Sequence, residues 1–178
     1  KFLEYYDIDF DIVDKINFND KLAEKLTKKQ SGVLISFSNP FILSQKALGI
    51  PRIKYINFHP GYLPNYRGSL STVYSLINGE SFVGGSWHYI TTAVDKGPII
   101  NRFKIQISAR DTAFSLNHKI FSKGILNLEL VLNRVGENYQ GIKPSGNGRF
   151  YKNIFPNLSN IKDPKKKQKI LFFPPKFI

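Results

Sequence analysis

The chain has 178 residues, 42% of them hydrophobic, enough for one domain with an ordinary core. It contains no cysteine, which excludes a disulfide scaffold and any thiolate metal site, and no run of 18 or more apolar residues, which excludes a membrane-spanning helix. Lysine and arginine (26) outnumber aspartate and glutamate (13), and the net charge of +13 suits an anionic partner such as a nucleotide-linked sugar, a polyglutamylated folate or a nucleic acid. No secretory signal opens the sequence, and the whole is expected in the cytoplasm. With no methionine, the chain is read as part of a longer protein.

In chain order, residues 8–13 (IDFDIV) alternate apolar and acidic, predicting a strand with one solvated face. Asn19 is placed to cap a helix from Asp20 to Gln30, whose lysine-rich end suits the helix dipole. Residues 32–37 (GVLISF) read as a buried parallel strand. A helical turn over Leu43–Leu48 follows, then a strand that ends near His59. Residues 69–78 predict a helix capped by Ser69 or Ser71 and stopped by Asn78-Gly79. Residues 82–90 and Pro98–Ile107 predict strands. Asp111 is placed to cap a long helix, Thr112–Val135, with a core-facing stripe through Leu116, Ile120, Gly124 and Val131, and His118 in solvent. Residues 136–149 read as loop. The aromatics of 148–158 are expected to pack on a ligand or a second subunit, and the tail joins a lysine run to an apolar strand. Strand and helix alternate, which predicts an α/β fold: an open, Rossmann-like, mostly parallel sheet flanked by helices.

The chemistry concentrates in residues 54–68, KYINFHPGYLPNYRG. Asn57 and His59 stand two apart at a strand end, so both side chains leave the same face. An amide there can donate to a developing oxyanion, and an imidazole titrates near neutrality. Asp95-Lys96-Gly97-Pro98 reads as a tight loop, with Gly97 permitting a close backbone turn beside the carboxylate. Three histidines without metal-ligand spacing give no zinc site, and no glycine-rich nucleotide loop is present.

The run N-x-H-P-x-x-L-P-x-Y-R-G, the Gly79-Glu80 pair, His88-Tyr89-Ile90 and Asp95-x-Gly97-x-Ile99, in that order, resemble the formyltransferase family, over roughly residues 8–135. The resemblance implies transfer of a formyl group from N10-formyltetrahydrofolate to an amine, with Asn57, His59 and Asp95 as the catalytic trio. It implies folate contacts from Phe41, Ile42, Leu43, Leu63, Val94 and His88, and acceptor contacts from Tyr66, Arg67 and Gly68. It implies a catalytic domain over 1–140, apparently without its first strand–helix unit, and an extension over 141–178 for dimerisation or acceptor contact. The expected acceptor is a nucleotide-linked amino sugar, giving a formamido sugar for surface polysaccharide such as lipopolysaccharide O-antigen. Glycinamide ribonucleotide and methionyl-tRNA are the other acceptors the family offers. A homodimer is expected, with no membrane contact and no metal. A non-catalytic basic nucleic-acid-binding domain is the reading of another class, with nucleic acid otherwise expected only as tRNA.

Overall fold

The computed structural model describes residues 11–159 and 161–171. The chain divides into two compact units. One takes in the chain up to Gly32 together with Asn39–Ile53, and the other takes in Val33–Ser38 together with the chain from Lys54 onward.

In the first unit, helix α1 spans Phe18–Thr27 and a single turn, α2, spans Gln45–Leu48. Asn19 does not cap α1; it lies inside the first turn. Its amide is taken by the segment before α2, donating to the Ile42 carbonyl (3.1 Å) and accepting from Ser44 N–H (2.7 Å). Ser44 in turn caps α2 by accepting from Ala47 N–H. The Phe18 ring packs on Phe41, centroids 5.0 Å apart. Of the strand expected at 8–13, residues 8–10 lie outside the described residues and 11–13 belong to no strand.

The second unit is built on a four-stranded sheet of β1 (Gly32–Phe37), β2 (Ile53–His59), β4 (Phe82–Tyr89) and β5 (Ile99–Gln106), in the order β1-β2-β4-β5. A two-stranded ribbon joins β3 (Tyr66–Gly68) to β6 (Arg149–Tyr151). Helices α3 (Ser71–Ile77), α4 (Ala113–Leu126), α5 (Leu128–Gly136) and α6 (Pro164–Leu171) complete the described elements. The α/β class is as expected, but β2–β4 and β4–β5 pair antiparallel, where a mostly parallel sheet was anticipated. A short connection returns β4 directly into β5, and a parallel pairing would need a crossover of a dozen or more residues.

β1 also differs from expectation. Val33, Ile35 and Phe37 are each more than a third exposed rather than buried. β1 stands at the sheet edge among the described residues, so only one flank has a neighbour. Phe37 still stacks on Phe58, centroids 5.1 Å apart.

Between sheet and helices lie Ile56, Phe58, Trp87, Ile100, Leu116, Ile120, Val131 and Val135, all essentially inaccessible. The Trp87 indole donates to the Gly124 carbonyl at 3.0 Å. Gly124 is required on the stripe, because a Cβ there would lie 2.3 Å from the Phe58 ring. The predicted long helix is two helices, broken at Asn127. The Asn127 amide bonds back to Lys123 O (2.7 Å) and accepts from Asn101 of β5 (3.1 Å), the local competition with the helix that asparagine favours.

The cap of α4 is Thr112, in a reciprocal box with Ser115. Asp111 instead accepts from Ser108, Ser115 and Lys119. Neither serine caps α3: Leu70 precedes it at φ 57, and Ser71 Oγ donates to the Pro60 carbonyl. Residues 164–171 are helical, which takes Ile170 and Leu171 out of the apolar strand expected in the tail; the rest of that strand lies outside the described residues. His118 is exposed, as expected.

Candidate functional site

Strand β2 ends on Asn57, Phe58 and His59, and the antiparallel register sets Asn57 opposite His88 and His59 opposite Ser86. Asp95 arrives from the loop between β4 and β5. It adopts φ 52, in the left-handed region that aspartate tolerates better than most residues. Gly97 lets that loop close against the end of β4: a Cβ there would sit 1.7 Å from the Tyr89 carbonyl oxygen. Two imidazoles therefore flank one carboxylate, and the Asn57 amide meets the second of them, His88.

The hydrogen bonds orient both imidazoles. His88 Nδ1 lies 2.8 Å from the Tyr89 carbonyl, which can only accept, so Nδ1 carries the proton. His88 Nε2 lies 3.1 Å from Asn57 Nδ2. The amide nitrogen has a second hydrogen to offer elsewhere. His59 Nε2 donates to the Tyr66 carbonyl, which leaves Nδ1 bare and facing Asp95 Oδ2 at 3.6 Å. Asp95 Oδ1 lies 3.5 Å from His88 Nε2, and Oδ2 accepts from Gly68 N–H at 2.7 Å. The side chains of His59, His88 and Asp95 are all at least nine-tenths buried.

Burial alone would raise the Asp95 carboxyl. The His88 contact, the nearby His59 and the Gly68 N–H outweigh it and hold the carboxyl down at about 2. Burial pushes His59 the other way, below the ordinary imidazole value, with Asp95 and the Tyr66 carbonyl opposing in part and His88 adding to the fall. At neutral pH the site is thus a carboxylate beside a neutral imidazole with an open nitrogen.

This has a measurable consequence for stability. As pH falls, the unfolded chain protonates His59 before the folded protein does. Its stabilising contribution is complete above pH ~6.5 and declines below that, by up to ~1.4 kcal/mol per pH unit until the folded group also titrates. Asp95 follows lower, contributing above its unfolded value of 3.8 and losing that contribution as pH falls toward about 2. Denaturant unfolding of the wild type and His59→Gln between pH 7.5 and 5.5 checks the first window. The wild type is expected to weaken more steeply than the variant, and equal slopes would mean that His59 is not buried neutral.

The other residues singled out from sequence fall in different places. Phe41, Ile42 and Leu43 belong to the first unit; Ile42 is 70% exposed and Leu43 is buried. Leu63 is fully buried, with its N–H on Ser86 Oγ (3.0 Å) and its carbonyl on Arg102 (2.7 Å). Val94 is exposed beside Asp95. Arg67 spends its guanidinium on the carbonyls of Val94 (3.3 Å) and Asn147 (2.7 Å), which braces two loops. Tyr66 and Gly68 enter through their backbone, one to His59 and one to Asp95.

The Tyr66 hydroxyl donates to Glu80 (2.6 Å) and accepts from Asn78 (3.0 Å). Burial and Glu80 push the phenol up to about 12, so it remains a donor. Around it lies a polar cleft of about 470 Å³, walled also by Asn65, Arg149 and Tyr151. Sequence reasoning took Tyr151 only as one of the aromatics of 148–158 expected on a ligand or second subunit, whereas its ring stacks on Tyr66 and Tyr74, and it gave Glu80 no role. The Gly79-Glu80 pair and the Gly148 of NGRFY were the available signals. Among the described residues no cluster could hold a metal ion, and no helix is long and apolar enough to cross a membrane.

Residues 11–131 match the family described as formyl transferase. The chain is 30% identical over 150 residues to the GDP-perosamine N-formyltransferase of Brucella melitensis biotype 1, an alignment covering 80% of this chain and 58% of that protein. It thus spans little more than half the length of that relative. Its fold is similar to a 4-N formyltransferase from Francisella tularensis (TM-score 0.75, 22% identity, 94% of this chain and 69% of that one). It is also similar to the N-formyltransferase from Helicobacter canadensis in complex with folinic acid and dTDP-3-aminofucose (TM-score 0.68, 24% identity, 86% and 60%).

Proposed function

The chain belongs to the formyl transferase family, and on that premise we propose that it transfers a formyl group from N10-formyltetrahydrofolate to the primary amine of a nucleotide-linked amino sugar. The observation that carries this reading is the buried carboxylate of Asp95 set between two imidazoles, with the Asn57 amide beside them. The acceptor class rests on the relatives, whose names specify GDP-perosamine and whose structures include one with dTDP-3-aminofucose.

Asn57, one amide hydrogen held by His88, directs the other at the formyl oxygen as negative charge develops there. Asp95 takes a proton from the attacking amine, and the bare Nδ1 of His59 stands ready to share it. The new bond joins the amine to the formyl carbon, the carbon–N10 bond breaks, and the proton returns to N10. With Nε2 committed to Tyr66 and Nδ1 facing Asp95, His59 is placed for proton sharing rather than for contact with the formyl oxygen.

His88 works from inside, on Asn57 and Asp95, rather than as a folate contact, and exposed Val94 is the folate-facing side chain of its loop. We assign residues 1–140 to the catalytic domain and 141–178 to an extension. The product is a formamido sugar for surface polysaccharide made in the cytoplasm, and the enzyme is a homodimer.

The test incubates the protein with N10-formyltetrahydrofolate and, in turn, GDP-perosamine, dTDP-3-aminofucose, glycinamide ribonucleotide and methionyl-tRNA, following tetrahydrofolate release. Turnover is expected with an amino sugar. Turnover only with the ribonucleotide or the tRNA would refute the acceptor class. The absence of both turnover and folate binding would refute the enzyme and favour a nucleic-acid-binding module.

A further inference from the structure

The family match ends at residue 131, yet the candidate site leans on residues beyond it. Strand β3 has two edges, because successive residues of a strand turn their backbone groups to opposite sides. On one edge, the Tyr66 carbonyl and the Gly68 N–H meet His59 and Asp95. On the other, the Asn65 carbonyl accepts from Arg149 N–H (3.3 Å) and Ser69 N–H donates to the Tyr151 carbonyl (2.9 Å). Two catalytic side chains and β6 thus occupy the two sides of a three-residue strand.

The pairing is locked by side chains. The Tyr151 ring stacks on Tyr66 (5.5 Å, 10° between planes) and on Tyr74 (4.2 Å). Asn78 Nδ2 lies 3.0 Å from the hydroxyls of both Tyr66 and Tyr151. Glycine is needed on both strands for so close an approach. A Cβ on Gly68 (φ 86) would lie 2.2 Å from the Tyr151 carbonyl oxygen, and one on Gly148 (φ 58) would lie 1.7 Å from that of Pro64.

We infer that β6 is a positioning element of the catalytic site: docked on β3, it holds the Tyr66 carbonyl and the Gly68 N–H where they fix His59 and Asp95. A strand as short as β3 has little order of its own, and losing one flank would let both backbone groups drift. The inference rests on the proposed roles of His59 and Asp95.

The test uses the full chain with Gly148→Ala, which pushes β6 off Pro64 without altering any residue near Asp95. Hydrogen exchange at the Ser69 amide reports docking, and long-range proton–nitrogen spectra report the protonation and tautomer of His59. The titratable side chains facing His59 are Asp95 and His88. Release of β6 is expected to speed Ser69 exchange, to move the His59 titration upward toward the ordinary imidazole range, and to lower kcat by ~100-fold with little change in KM for the folate.

Tyr151→Ala, which removes the stack, should do the same if Gly148→Ala does not fold, and Tyr151→Phe, which keeps the stack and loses only the Asn78 contact, should lie much closer to the wild type than Tyr151→Ala in all three readouts. Released β6 with unchanged His59 spectra and kcat would overturn the inference. So would a Ser69 amide that stays protected in both disruptive variants. Asp95→Asn run in parallel separates the two failures: full activity in that variant sinks the proposed mechanism, whereas its inactivity beside fully active β6 variants sinks only the role of β6.

Discussion

Asp95→Asn is expected to slow formyl transfer by ~100- to 10,000-fold, the range supplied by a positioned proton acceptor. The substitution is mild for the backbone, because asparagine also accepts the left-handed conformation that Asp95 adopts at φ 52. Its side-chain oxygen can still accept from the Gly68 N–H. What disappears is the negative charge between His59 and His88 and, in the proposed mechanism, the group that receives the amine proton. Steady-state kinetics with the acceptor that supports turnover, beside far-UV circular dichroism to verify the fold, measures the effect. Wild-type kcat in a folded variant would remove Asp95 from the chemistry and leave it as a turn residue with an unusual φ.

Asn57→Ala is expected to cost ~100- to 1,000-fold in kcat, the cost of removing one oxyanion donor. The contact strengthens only as the formyl oxygen gains charge, so KM for the folate should hardly change. Among the described residues the amide's hydrogen-bond partner is His88, which lies at the cross-strand register position opposite. A variant with raised KM and unchanged kcat would make Asn57 a binding residue and move the oxyanion contact elsewhere.

Not every feature of this site was open to reading along the chain. Asn57 and His59 leave one strand face because they are two apart, and that spacing is local. The Asp95-x-Gly97 loop was likewise visible, since glycine marks the close turn that brings a carboxylate to the end of a strand. His88 was seen but given a ligand to touch, because nothing local says which residue a strand faces across the sheet. The register set it against Asn57. The helix caps went astray for a similar reason: Asn19 was free to cap by its own chemistry, and a segment more than twenty residues away claimed its amide first.

By itself, then, the sequence determined the α/β class through periodicity, and its motifs carried the resemblance to the formyl transferase family and named the residues proposed for the chemistry, because such patterns act over a few residues. The tertiary structure decided the antiparallel return of β4 into β5, the break at Asn127, the open nitrogen of His59 and the docking of β6 beside the site. Each of these depends on a hydrogen bond or a close approach between residues far apart in the chain. Such a pairing forms only when both partners are already held in place by the core.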